Sequence, residues 1–304
     1  MSFGLGHGRT LDPAPGAVGV SDVELPPLPD DILSDPRSGW VDPRHWFPDP
    51  SCPFELEIGS GKGTFLLQQA VLQPRTNFLG IEWAREFYAY AADRVRRRRT
   101  GGRLTNVRML HTDASEFLHW RCPDAICRVV HLYFSDPWPK NRHHKKRVVQ
   151  HRLLADVWRV LIPGGELRVV TDHADLWAWD MAHFEQWAGQ RDGETERRRA
   201  EPGEQARGAE GARSAGEGQS ALGEREGLGK FIDERVLTGA RSLVPPMPEA
   251  VRVRRESMPG TPFELLAFDR PASAGAGELV GTNFERKFRE EGREFHACTL
   301  RKRV

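Results

Sequence analysis

Apolar and polar positions alternate irregularly before about residue 50 and regularly after it. Phe54 to Ile58 is a short apolar run that predicts a strand, and it ends in Gly59-Ser60-Gly61-Lys62-Gly63. Thr64 then opens a helix with Phe65, Leu66, Ala70 and Val71 on one face. A second strand is expected at Phe78 to Glu82, and Phe87, Tyr90, Ala91 and Val95 carry a helix over Arg85 to Arg99 that Gly101-Gly102 stops. Asn106 to Leu110 and Arg128 to Phe134 predict strands on either side of a brief helix, Ser115 to Trp120. Val149, Leu153, Val157 and Leu161 recur every fourth residue and predict a helix over Lys146 to Leu161. Pro163-Gly164-Gly165 launches a strand at Glu166 to Thr171, a helix follows near Ala174 to Gly189, and Phe263 to Phe268 and Phe295 to Leu300 read as late strands. Strands alternating with helices at this interval mean βαβ units, hence an α/β fold with a doubly wound, mainly parallel, seven-stranded sheet.

Two stretches fall outside the pattern. Residues 1–50 are rich in Gly, Pro and Asp and read as a flexible N-terminal arm, its end pinned by Trp40, Trp46 and Phe47. Residues 51–304 form the domain, interrupted at about 191–260 by a low-complexity insertion. Residues 191–230 hold 17 charged residues and nine glycines but only Leu222 and Leu228 as large aliphatics, too little apolar area to offset the entropy of ordering. This part is expected to be disordered, its Arg197-Arg198-Arg199 run solvated, and residues 231–262 are left unassigned.

Composition changes the picture in one respect. Forty-four Lys and Arg nearly cancel 43 Asp and Glu, so any affinity for nucleic acid must come from local clusters. Cys52, Cys122, Cys127 and Cys298 form no CxxC pair, which speaks against a zinc ribbon or a disulfide scaffold and for a reducing cytoplasm. No run suggests a signal peptide or a membrane span.

Ligands of an open α/β sheet sit beyond the carboxyl ends of its strands, where Glu57, Glu82, Asp113, Asp136 and Asp172 all fall. Gly59, Gly61 and Gly63 let backbone approach a ligand, and Glu82, 19 residues past Gly63, is placed to accept from a ribose diol. The turn lacks P-loop and GxGxxG spacing, and carboxylates where a pyrophosphate would lie favour a nucleoside cofactor with a cationic, amino-acid-bearing end. S-adenosylmethionine fits. The run Ser135-Asp136-Pro137-Trp138-Pro139-Lys140 ends the fourth strand in a rigid turn, followed by Arg142, His143, His144, Lys145, Lys146 and Arg147. Two prolines and a core Trp138 would suffice to end a strand, but an acid, an aromatic plane and an ammonium together suit a flat polar substrate. His143 and His144 are not spaced as metal ligands, so no metal is assigned.

Leu56-Glu57-Ile58-Gly59-x-Gly61-x-Gly63, Gly80-Ile81-Glu82, Asp113-Ala114, the Asp136-Pro137-Trp138-Pro139-Lys140 turn, Pro163-Gly164-Gly165, Thr171-Asp172 and Thr282-Asn283-Phe284-Glu285 together resemble the tRNA (guanine-N7-)-methyltransferase family, a Rossmann-like class I methyltransferase family. The likeness covers about residues 54–189 and 263–303. It implies that Glu57, Gly59, Gly61, Gly63, Glu82, Asp113 and Asp136 line the S-adenosylmethionine site and that Asp136 is the acid at the chemistry. Lys140, Asp172, Thr282, Asn283, Phe284 and Glu285 would bind the tRNA near a variable-loop guanine, with Arg142, Lys145, Lys146 and Arg147 on phosphates. The long arm, the insertion and Asn283, where a basic residue is common, depart from the pattern.

Guanine N7 carries a lone pair and no proton, so the expected task is positioning the base, with Asp136 and Asp172 stabilising the cationic ring that forms. Trp138 either stacks on the base or wedges the turn. Two competing readings stay open: a class I methyltransferase acting on an exocyclic amine of another RNA or a small molecule, and a passive RNA-binding module. The protein is expected to be a cytoplasmic monomer or homodimer, with tRNA as partner and no membrane contact.

Overall fold

The computed structural model describes residues 10–13, 16–18, 23–99, 104–188, 234–258 and 260–304. The expected disorder at 191–230 lies outside the described residues. Five strands form the parallel centre: β2 (Phe54–Ile58), β3 (Asn77–Glu82), β4 (Val107–His111), β5 (Cys127–Tyr133) and β6 (Leu161–Thr171). Of the two late strands, β8 (His296–Lys302) runs antiparallel to β6, and β7 (Phe263–Leu266) antiparallel to β8. With β1 (Ala17–Val18) at one edge, the order is β1-β4-β3-β2-β5-β6-β8-β7, so the winding direction reverses between β2 and β5.

The eighth strand corrects the expectation of seven. It comes from the arm, where β1 (Ala17–Val18) pairs parallel with Met109 and Leu110 of β4. Gly16 makes this possible, because a Cβ there would sit 2.2 Å from the Ala92 carbonyl oxygen on the neighbouring helix. The later arm is also built in: Phe47 is buried against Phe54, and Trp46 packs on Phe117.

Helices cover both faces. On one side are α1 (Thr64–Leu72) and α2 (Arg85–Arg99), whose Phe65, Leu66 and Val95 bury against Phe78 and Met109. On the other, α3 (Ala114–Trp120), α4 (His151–Val160) and α5 (Ala174–Ala188) pack Phe117, Leu153, Trp187 and neighbours onto Leu56, Leu132 and Leu167. The α4 helix starts later than its period predicts, because Asn141–Lys146 winds as a tight 3-10 turn and Arg147 is extended. Two helices also occupy the later part of the expected insertion, which is therefore not low-complexity chain throughout. These are α6 (Glu234–Leu243), which buries Leu237 and Ala240 in the core and pairs Arg241 with Glu185, and α7 (Glu249–Glu256), which pairs Arg254 with Asp156 and leads into the buried Met258. The last helix is α8 (Asn283–Glu290).

Strand β2 alternates: Phe54, Leu56 and Ile58 enter one core, while Glu55 and Glu57 point to the α1 side and are buried there too. Arg128 donates to Glu55 Oε1 at 3.0 Å and His131 Nε2 to its Oε2 at 2.8 Å, while His131 Nδ1 lies 2.8 Å from the Tyr133 hydroxyl. Because a carboxylate only accepts, Nε2 carries the imidazole proton and Nδ1 takes that of Tyr133. Burial holds His131 below its usual value, in keeping with a neutral ring. Among the described residues Glu57 has no such partners.

Candidate active site

At the carboxyl end of β2 the chain turns through Gly59, Gly61 and Gly63 with φ of +71°, +51° and +66°. Side chains rarely adopt such values, and a Cβ on Gly59 or Gly61 would meet nothing within 4 Å, so the turn borders open space. Glu82 anchors it from β3: Oε2 accepts from Gly61 N at 2.7 Å and Oε1 from Ala84 N at 2.8 Å. The ribose acceptor anticipated in the sequence is thus also a brace, with lone pairs left for a diol. Arg94 braces the turn from α2 by donating to the Lys62 carbonyl and to Thr64 Oγ1.

Glu57 is 5% exposed and its Oε2 has no hydrogen-bond partner among the described residues. Burial, reinforced by the charge of Glu82, pushes its carboxyl from 4.5 up to about 8. A buried carboxyl left without a donor beside an open glycine turn is what an ammonium-bearing ligand requires. Asp113, at the end of β4, caps α3 by accepting from Ser115 N and Glu116 N, both through Oδ1. These residues fit the cationic nucleoside cofactor inferred from the sequence.

Across the switch point, β5 ends in the turn that carries Asp136. Phe134 and Trp138 bracket it with φ of +55° and +43°, a strained conformation for aromatic residues. Arg147 holds the turn in place: its Nε donates to the Pro137 carbonyl at 2.9 Å, it pairs with Asp175, and it lies over Trp179. At 2% exposure Arg147 is no phosphate contact, contrary to the expectation, whereas Arg142, Lys145 and Lys146 are exposed. The Trp138 ring carries Lys146 Nζ 4.7 Å from its centroid and the edge of His143 at 5.8 Å, so it is at least partly a wedge. Asp136 and Lys140 face solvent.

Thr282 caps α8, and Glu285 reaches back past the cap to the preceding backbone, a variant of the capping box. Thr282 Oγ1 accepts from Glu285 N at 3.1 Å, and the fully buried Glu285 carboxylate accepts from Val280 N and Gly281 N, each at 2.8 Å, and pairs with Arg289. Both side chains are thereby withdrawn from a substrate, which corrects the expectation, while Asn283 and Phe284 remain exposed. Asp172, at the end of β6, accepts from Arg293 Nη1 at 2.6 Å. Sequence reasoning missed Arg293, Phe288 and Phe134; the four-residue spacing of Phe284 and Phe288 was the available signal. Among the described residues no group of three or more His, Cys, Asp or Glu could hold a metal, and no helix is long and apolar enough to cross a membrane.

A mostly parallel sheet with a glycine turn and acid-tipped strands at its switch point defines a class I methyltransferase domain. Residues 51–207, just over half the chain, match the family model described as "Putative methyltransferase". The tRNA (guanine-N(7)-)-methyltransferase of Nitrobacter hamburgensis is 38% identical over 182 residues, 60% of this chain and 68% of that protein. The enzyme of the same name from Alkalilimnicola ehrlichii is 43% identical over 123 residues, 40% of this chain and 50% of that one. The chain belongs to the tRNA (guanine-N7-)-methyltransferase family, and S-adenosylmethionine is its methyl donor. Among solved structures, the 16S rRNA methyltransferase KamB superposes with a TM-score of 0.43 at 14% identity, covering 95% of this chain and 98% of that one.

Proposed function

We propose that this chain transfers a methyl group from S-adenosylmethionine to N7 of a guanine in tRNA, in the variable loop, forming 7-methylguanosine. The observation that carries the reading is the crevice at the β2/β5 reversal, with the glycine turn and Glu57 on one side and the Asp136 turn on the other. The cofactor supplies a methyl group made electrophilic by its sulfonium. Glu57 receives the cofactor's amino end, Glu82 the ribose, and Asp113 closes the pocket from the β4 side. N7 needs no deprotonation, so the protein's work is to align the base and exclude water. Asp136 lies at the reacting face and Asp172 at the N–H edge of the ring, where both carboxylates favour the positive charge that methylation creates. Lys140, Asn283 and Phe284 border the same face, and Arg142, Lys145 and Lys146 lie where tRNA phosphates would run. The reaction is placed in the cytoplasm, carried out by a monomer or a homodimer.

The test is incubation with tRNA and S-adenosylmethionine followed by N7-specific strand cleavage and mass spectrometry of the nucleosides. A new 7-methylguanosine is expected in the variable loop, and Asp136→Ala should abolish it. A methylated exocyclic amine would sink the reading.

A further inference from the structure

Arg293 is arranged as a base would be. Its guanidinium carbon lies 3.9 Å from the centroid of the Phe288 ring, and Nη1 donates to Asp172 Oδ2 at 2.6 Å. The remaining edge, Nε and Nη2, pairs with Glu291. The left-handed Gly292, at φ +71°, turns the chain back so that Arg293 N also bonds the Phe288 carbonyl at 2.9 Å. Phe288 in turn meets Phe134, at 6.2 Å between centroids, two residues before Asp136. The half-exposed Phe284 packs on it at 5.8 Å.

A guanine presents N1–H and N2–H side by side in the plane of a flat ring, and so does a guanidinium. A carboxylate flanked by an aromatic face holds either one by a planar stack and in-plane N–H···O bonds, of which Arg293 makes one to Asp172, through Nη1, where a guanine edge offers two. We propose that Arg293 is a built-in occupant of the guanine subsite, stacked on Phe288 and paired with Asp172 until the substrate base displaces it. This rests on the reading of the site as guanine-binding.

Displacement is cheap enough to work as a latch. The Arg293 side chain is 44% exposed while Asp172 is 14% exposed, so the arginine regains water on leaving and the carboxylate is then left for the base. The released guanidinium swings out at the mouth of the site, where the incoming tRNA brings phosphates. A base that cannot offer two donors, such as adenine, lacks the means to replace it, so the latch adds selectivity to the fit of the pocket.

The test uses the full chain and free 7-methylguanosine at mildly acidic pH, where the ring is cationic and keeps its N1–H, with adenosine as control, titrated by ligand-observed NMR. Arg293→Ala is expected to tighten 7-methylguanosine binding by about fivefold, the range of an exposed ion pair, and to leave adenosine unchanged. The gain should shrink as KCl is raised, because removing a screened pair matters less, and it should vanish in Asp172→Asn/Arg293→Ala. Arg293→Gln, which keeps a polar side chain but is shorter and uncharged, should reproduce the gain if the alanine variant folds poorly. Unchanged or weaker 7-methylguanosine binding in both single variants overturns the latch and makes Arg293 a support of the loop or a contact of the substrate. Methylation of tRNA by the wild-type chain is scored separately. Its absence removes the proposed function, while the nucleoside titration still decides what Asp172 and Phe288 hold.

Discussion

Glu57→Gln should make the cofactor-free protein more stable and a worse binder. The folded chain keeps the Glu57 proton up to about pH 8, whereas the unfolded chain releases it near 4.5. Between those values the unfolded state binds fewer protons, so stability falls as pH rises, by up to about 1.36 kcal/mol per pH unit. The full displacement caps the loss at about 5 kcal/mol, and relaxation with water entry reduces it to about 2 kcal/mol. Gln has no proton to lose. Thermal unfolding of the two proteins from pH 5 to pH 9 should therefore give curves that diverge upward in pH. The variant should lead by about 4 to 8 °C at pH 8 and hold little advantage at pH 5. Calorimetric titration with S-adenosylhomocysteine should show the opposite ranking, about thirtyfold weaker for the variant, the worth of a charge-assisted hydrogen bond to the amino group. Parallel pH–stability curves, or equal ligand affinities, would refute the assignment of Glu57 as the carboxyl reserved for the cofactor.

Two further substitutions probe the frame around the site. Arg147→Met removes the donors to Pro137 and Asp175 beneath the Asp136 turn, and should cost about 2 kcal/mol of stability and most methyl transfer while S-adenosylhomocysteine binds normally. Arg142→Glu, on the exposed side of the same basic run, should instead raise the KM for tRNA and flatten its salt dependence with no loss of melting temperature. Glu285→Gln replaces a buried carboxylate that accepts from consecutive backbone N–H groups, and should destabilise by about 2 kcal/mol, detected as a lower melting temperature and faster proteolysis near residues 279–281.

The alternation of apolar strands and amphipathic helices is a local pattern, and residues 54 to 171 declare it by themselves. The strand ends, the glycine turn and the acids at them were legible for the same reason: each lies in the last residues of its strand or a few residues after it, and parallel winding puts all of them at one end. What the chain does between distant segments was not written in any window of it. The arm joins the sheet because Gly16 happens to meet α2, and Ala17–Val18 looks like any other loop dipeptide until β4 offers it an edge. Residues 234 to 258 are ordered by burying Leu237 and Ala240 of α6 and Met258 just past α7, apolar area that no short helix supplies alone. Arg147 and Glu285 looked like ligand contacts, since charge and polarity advertise themselves in a sequence, but burial decides whether a charge meets a substrate or props up a turn. Local pattern is enough to name the chemistry at the carboxyl ends of the strands. Which of those groups are left open for a ligand depends on long-range packing, because a partner such as Arg293, 121 positions beyond Asp172, is brought near by folding alone.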